Sequence, residues 1–163
     1  MNITTYQSFL DKDTNHNILV KDKCIPYHDE LHFNSPDLIA KIMREVFQLD
    51  QLAEEEVYMI SLNTKGFPLG FFLISHGTVN ASLIGAREIF IKALLSGASS
   101  IVLVHNHPSQ SPVPSKEDKN VTTRILEAGK LIGIPLIDHL IITKTNYFSL
   151  VSDCVSPPHT TLL

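Results

Sequence analysis

A chain of 163 residues, 44% hydrophobic and 18% charged, has the size and composition of one compact domain, which argues against a disordered or low-complexity chain. A net charge of −4 and a pI near 6.0 argue against gripping nucleic acid by bulk charge, and no apolar run reaches the ~20 residues that span a bilayer. The two cysteines, Cys24 and Cys154, form no CxxC, and the first ten residues lack the basic-then-apolar character of a secretion signal, so a reducing, cytoplasmic setting is expected.

Residues 1–34 are polar apart from Asn17-Ile18-Leu19-Val20, and read as an N-terminal extension that adds one strand. Ser35-Pro36-Asp37 starts a helix, with serine as cap, proline at the first helical position and an acid in the first turn. Leu38, Ile39, Ile42, Met43, Val46 and Phe47 recur at helical spacing and make a core-facing stripe that ends near Leu49. After Glu54-Glu55-Glu56, a strand is predicted from Val57 to Leu62, a turn at Asn63-Thr64-Lys65-Gly66, and a hairpin partner from Pro68 to Ser75. A helix follows from Ala86 to Ser96, stopped by Gly97, and then a short apolar strand, Ile101 to Val104, of the kind buried on both faces. Ser115 caps a long helix that runs to about Ile132 and closes on Gly133. Leu136 to Ile142 and Tyr147 to Val151 form the last strands, ahead of a loosely held tail from Val155 to Leu163. Alternating strands and helices predict an α/β (α+β) fold, a single domain whose central mixed sheet is flanked by helices.

The segment that carries chemistry is Val104-His105-Asn106-His107-Pro108 through Ser115-Lys116-Glu117-Asp118. Two histidines two apart on extended backbone point to the same side, so both imidazoles can converge on one ion. Pro108, Pro112 and Pro114 stiffen the loop that follows by fixing φ. Asp118 lies in the first helical turn, where it can face back over the loop, and the Ser115 hydroxyl is close to the same space. Two imidazoles and a carboxylate are a first-row metal ligand set, and three protein ligands leave a fourth position for water. Each piece has a plainer reading: Ser115 and Asp118 alone make an ordinary helix start, and a single histidine at a strand end is commonly a satisfied or surface residue. It is their coincidence in one segment that points to a metal.

HNHPSQSPVPSKED resembles the JAMM motif (HxH, seven residues, Ser, two residues, Asp) in its bacterial RadC-type form. EEVYMISLNTK from Glu55, SHGTVNA from Ser75, Arg87-Glu88-Ile89-Phe90 and Asp138-His139-Leu140-Ile141-Ile142 resemble that family's other blocks, so the likeness covers about residues 35–151. It implies a single JAMM/MPN domain over 35–152 with cytidine-deaminase-like architecture, preceded by the 1–34 extension and followed by a 153–163 tail. It also implies zinc held by His105, His107 and Asp118, a glutamate base from an upstream strand, and Ser115 assisting at the oxyanion. Counting back from Leu62-Asn63-Thr64-Lys65 aligns Glu55 with the family's base, and period-two alternation puts it on the face of Val57 and Met59. A run of three glutamates is also an ordinary solvated strand entrance, so Glu54 and Glu56 stay open.

The expected activity is hydrolysis of a peptide or isopeptide bond. Zinc would lower the pKa of its water to about 7, Glu55 would carry the proton, and Ser115 would donate to the oxyanion. Expected partners are a peptide or protein substrate and a second copy of the chain, with no membrane and no direct nucleic acid. The alternative is a non-peptidase accessory role in DNA repair or mobile-element maintenance, which the historical naming of the family suggests. The helix-hairpin-helix region of longer relatives is not expected here, nor is any DNA contact it supplies. Gln110 stands where the family loop has glycine, which costs conformational energy if φ must be positive.

Other metal and nucleotide classes fail by motif. There is no HExxH, no H-x-E with a later PCxxC, and no phosphate loop among Gly66, Gly70, Gly77 and Gly85. His105-Asn106-His107 does not indicate the HNH nucleases, whose signature residues are dispersed. His139, within an apolar strand, reads as a packed histidine.

Overall fold

The computed structural model of the chain describes residues 2–28, 32–33, 35–77 and 84–155. The tail beyond 155 and the 78–81 part of one family block lie outside the described residues. Seven strands form one mixed sheet: β1 (Asn2–Leu10), β2 (Asn17–Pro26), β3 (Glu56–Leu62), β4 (Pro68–His76), β5 (Ser100–Asn106), β6 (Leu136–Ile142) and β7 (Tyr147–Ser149). Four helices flank it: α1 (Pro36–Glu45), α2 (Ala86–Leu95), α3 (Lys116–Ile132) and α4 (Leu150–Val155). The strand order is β2-β1-β4-β3-β5-β6-β7. β1–β4 and β5–β6 are parallel pairs, and the remaining neighbours run antiparallel.

Strand alternation divides the core into two layers. Ile60 and Leu62 from β3, Val102 and Val104 from β5, and Leu140 and Ile142 from β6 meet Ile39, Ile42 and Met43 of α1. Val57, Met59, Ile101 and Leu103 point the other way, into a layer shared with Ile89, Phe90 and Ala93 of α2 and Val121 and Ile125 of α3. β5 lies between β3 and β6 with helices on both faces, and from Ile101 to Asn106 every residue is buried. That is why its apolar run does not alternate with polar residues.

The helix signals stand where expected: Ser35 caps α1 by accepting from the Asp37 N–H, and Gly133, left-handed at φ 82°, ends α3. Besides shifts of one or two residues at other ends, such as β5 reaching Asn106, three features differ from the sequence reading. The N-terminal segment supplies two strands, not one; β1 and β2 form a hairpin on the sheet edge, and their mostly exposed side chains carry little apolar pattern to read. Gly70 makes room for this addition, since a Cβ there would lie 2.8 Å from the Tyr6 ring. α1 stops at Glu45, before a left-handed Gln48 and a short 3-10 turn, Leu49–Gln51. The strand expected through Val151 ends at Ser149, whose hydroxyl accepts from the Ser152 N–H as the chain turns into α4.

Candidate metal centre

β5 carries the first histidine to the end of the sheet. His105 continues the parity of Ile101 and Leu103, so its ring enters the α2–α3 layer, and His107 follows on the same side just past the strand. β5, α3 and β6 form a parallel crossover, which brings the N-terminus of α3 over the end of β5. Ser115 is extended at the helix cap and accepts from the Asp118 N–H at 3.1 Å. Its own N–H and hydroxyl both donate to Asp118 Oδ2, each at 2.7 Å. The capping box therefore fixes the carboxylate, with Oδ1 toward His105 and Oδ2 shared between the cap and His107.

Four side chains meet at one point. The Nε2 atoms of His105 and His107 are 3.1 Å apart. Asp118 Oδ1 is 3.2 Å from His105 Nε2, and Oδ2 is 3.4 Å from His107 Nε2. Glu55 Oε1 is 3.7 Å from His107 Nε2, and donor atoms of Glu55, His105 and His107 all lie within 4.8 Å of one another. The outer nitrogens are tied elsewhere: His107 Nδ1 to the Ser111 carbonyl at 2.7 Å and His105 Nδ1 to His139 Nε2 at 2.9 Å. The Nε2 positions are thus the ones left to face inward. Hydrogen bonding to Asp118 holds the His107 pKa above its ordinary value, against the effect of burial. Burial pushes the Asp118 carboxyl up, but hydrogen bonds with His105, His107 and Ser115 more than offset it and hold the group well below the usual carboxylate range. Carboxylate and imidazole atoms that converge this closely could hold a metal ion, and nitrogen and carboxylate donors are a set compatible with zinc. The point opens on a cleft of about 550 Å³ lined by Glu55, His107, Pro108, Ser111, Ser115 and Asp118.

The three glutamates separate by geometry. Glu54 Oε2 and Glu56 Oε1 each lie 2.8 Å from a nitrogen of His76, and only Glu55 of the three reaches His107. Hydrogen bonding to Glu56 is the main reason the His76 pKa is raised. The register explains the placing of Glu55: Val57 pairs with His105, so two residues further along the antiparallel ladder Glu55 comes opposite His107. There the Asn106 side chain takes over from the ladder. Its Oδ1 accepts from the Glu56 N–H at 2.8 Å and its Nδ2 donates to the Glu54 carbonyl at 3.0 Å, which holds the backbone on both sides of Glu55. The Gly77 N–H donates to the Glu55 carbonyl at 2.9 Å.

A family profile described as RadC-like JAB domain matches residues 33–155. The chain belongs to that family. A UPF0758 protein of Clostridium acetobutylicum is 41% identical over 122 residues, 75% of this chain and 52% of the relative. Others from Alkaliphilus metalliredigens and Clostridium botulinum are 43% identical over 116 residues and 40% over 122, covering 49% and 53% of those proteins. The chain spans about half the length of the curated relatives it matches. Among the described residues, no helix of this RadC-like domain is long and apolar enough to cross a membrane.

Two features of this RadC-like JAB domain reach beyond the motif. Gln110 has φ 60°, so the left-handed conformation anticipated at this position is present. Its side chain answers by donating to the Asp50 carbonyl at 3.2 Å and accepting from the Lys144 N–H at 2.9 Å, which pins the loop to two neighbouring turns. His139 is packed, as its apolar strand suggested, yet it also bonds the inner histidine of the centre. The available signal was the oddity itself, since a buried polar ring in an apolar strand must find partners.

Proposed function

We propose that this domain is a zinc-dependent hydrolase of amide bonds, a peptidase or isopeptidase, with His105, His107 and Asp118 as ligands, Glu55 as general base and Ser115 at the oxyanion. The observation that carries the reading is the convergence of two inward imidazole nitrogens and two carboxylates on the wall of an open cleft. Bound there, zinc would supply Lewis-acid activation of water and of the amide carbonyl near neutral pH. Glu55, 24% exposed, lines the cleft 3.7 Å from His107, and in this reading it would take a proton from the attacking water and return it to the leaving amine. The Ser115 hydroxyl is committed to Asp118 Oδ2, so its part at the oxyanion requires it to rotate toward substrate. The Ser115 N–H keeps its own 2.7 Å bond to Asp118 through that rotation, so the carboxylate stays oriented. The proposed partner is a peptide or protein, in keeping with the net charge of −4.

The test is metal analysis of the purified protein and of His107→Ala, with hydrolysis of a peptide library in parallel. Stoichiometric zinc in the wild type, its loss in His107→Ala and cleavage by the wild type are expected. Glu55→Gln should keep its zinc and lose roughly 10²- to 10⁴-fold in rate. If Glu56→Gln does so instead, the base is misassigned. Absence of zinc removes the reading altogether. Zinc without cleavage, together with salt-dependent DNA binding, would move the assignment to an accessory role in DNA maintenance.

A further inference from the structure

His139 is buried in β6, and no step above uses it. Its Nε2 is 2.9 Å from His105 Nδ1, and its Nδ1 is 2.7 Å from Thr122 Oγ1. Thr122 Oγ1 is also 2.7 Å from the Asp118 carbonyl oxygen, one turn back along α3. A carbonyl oxygen can only accept, so the hydroxyl proton goes to Asp118. A hydroxyl has one proton, so the contact with His139 must be a donation from the ring, through Nδ1–H. The His139 ring is buried, and its two nitrogens face an imidazole and a hydroxyl with no carboxylate to balance a charge, so it is held as the neutral imidazole, which carries a single N–H. Its Nε2 is therefore bare and accepts from His105 Nδ1–H, so in the neutral form of His105, the one that can ligate a metal, the lone pair lies on Nε2. The opposite order would leave the Thr122 and Asp118 oxygens 2.7 Å apart with no proton between them. It would also put an N–H of His105 at the centre, between His107 Nε2 and Asp118 Oδ1.

We propose that Thr122 and His139 are positioning residues, locking His105 in the tautomer whose Nε2 lone pair faces the metal centre. This rests on the reading of His105 as a ligand. The chain of bonds starts at the backbone of Asp118 and ends on the ring of His105, so it wires the helix-borne ligand to the strand-borne one through β6. Partners of this kind, set behind a ligating histidine, fix ring orientation and tautomer.

The experiment is ¹⁵N spectroscopy of the histidine rings in zinc-free wild-type protein, followed by zinc affinity measured against a competing chelator. His105 and His139 should both carry their ring proton on Nδ1. Thr122→Val, which removes the acceptor for His139, should weaken zinc binding by about 10- to 100-fold, and Thr122→Ser should restore it. A ring proton on His105 Nε2 overturns the proposal, and so does wild-type zinc affinity in a folded Thr122→Val protein. The wild-type spectra decide the tautomer even if that variant does not fold. If both rings show Nδ1–H and the wild type takes no zinc, the metal assignment of the preceding subsection falls while the tautomer lock stands.

Discussion

On the α1 side of the sheet, β5 contributes Val102 and Val104 to a layer of apolar side chains that includes Ile42, Met43, Leu140 and Ile142. On the other side the same strand begins alike, with Ile101 and Leu103 in the layer of Phe90 and Ile125, and then ends on His105 beside His139 and Asp118. The first layer is held by burial, which has no direction and depends chiefly on volume. The second passes within two residues from that regime to one in which each donor must meet a particular acceptor. Among the described residues, the buried side-chain atom without a hydrogen-bond partner is Asp50 Oδ1, so each buried polar atom at this end of the second layer lies beside another polar group.

This contrast can be broken from either side. The largest effect on stability is expected in the apolar layer: Ile42→Ala, at a position with no exposure, should cost about 2–5 kcal/mol in denaturant unfolding and leave the zinc content of the folded protein unchanged. Asn106→Ala should cost less, about 1–3 kcal/mol, because it orphans the Glu56 N–H and the Glu54 carbonyl. It should nevertheless slow hydrolysis with zinc retained, since the backbone on both sides of Glu55 is released. Loss of zinc in Asn106→Ala would show that the clamp supports the ligands and not the base. Gln110→Ala keeps the left-handed strain and loses both side-chain bonds, so about 1–2 kcal/mol is expected in unfolding experiments. Gln110→Gly loses the same bonds but relieves the strain, and should fall nearer the wild type.

The smallest effect belongs to His76, exposed and bridging Glu54 and Glu56. Its pKa is raised in the folded protein, so its contribution to stability is complete below the ordinary value of 6.5 and disappears as pH climbs through the higher folded-state value. The Tm difference between wild type and His76→Gln should therefore shrink as pH rises across that window. A difference that grows with pH would contradict the bridge.

What could be read from the sequence follows from how far apart the partners lie. His105, His107, Ser115 and Asp118 sit in one segment with its own local rules of strand parity and helix capping, and the structure brings all four together there. Glu55 came from period-two alternation and a family alignment, and the structure points it toward His107, while Glu54 and Glu56 turn to His76. The partners of Asn106 are 50 and 52 residues away, and His139 is 34 residues from His105; no local pattern announces contacts set by strand order. The N-terminal hairpin was half visible for a related reason. As an exposed edge it buries little, and a strand that buries little has a weak apolar alternation to detect.

The capping box at Ser115 and Asp118 makes the first turn of α3 a reporter on the centre. One carboxylate both closes the helix start and faces the two histidines, so a change in the charge it meets alters how strongly it can hold the Ser115 N–H. Exchange of that single amide with solvent would register ion binding without substrate, label or turnover. For the same reason this helix end cannot drift in sequence independently of the centre: a replacement at 118 that spares the cap must still answer to His105, and one that spares His105 must still close the cap.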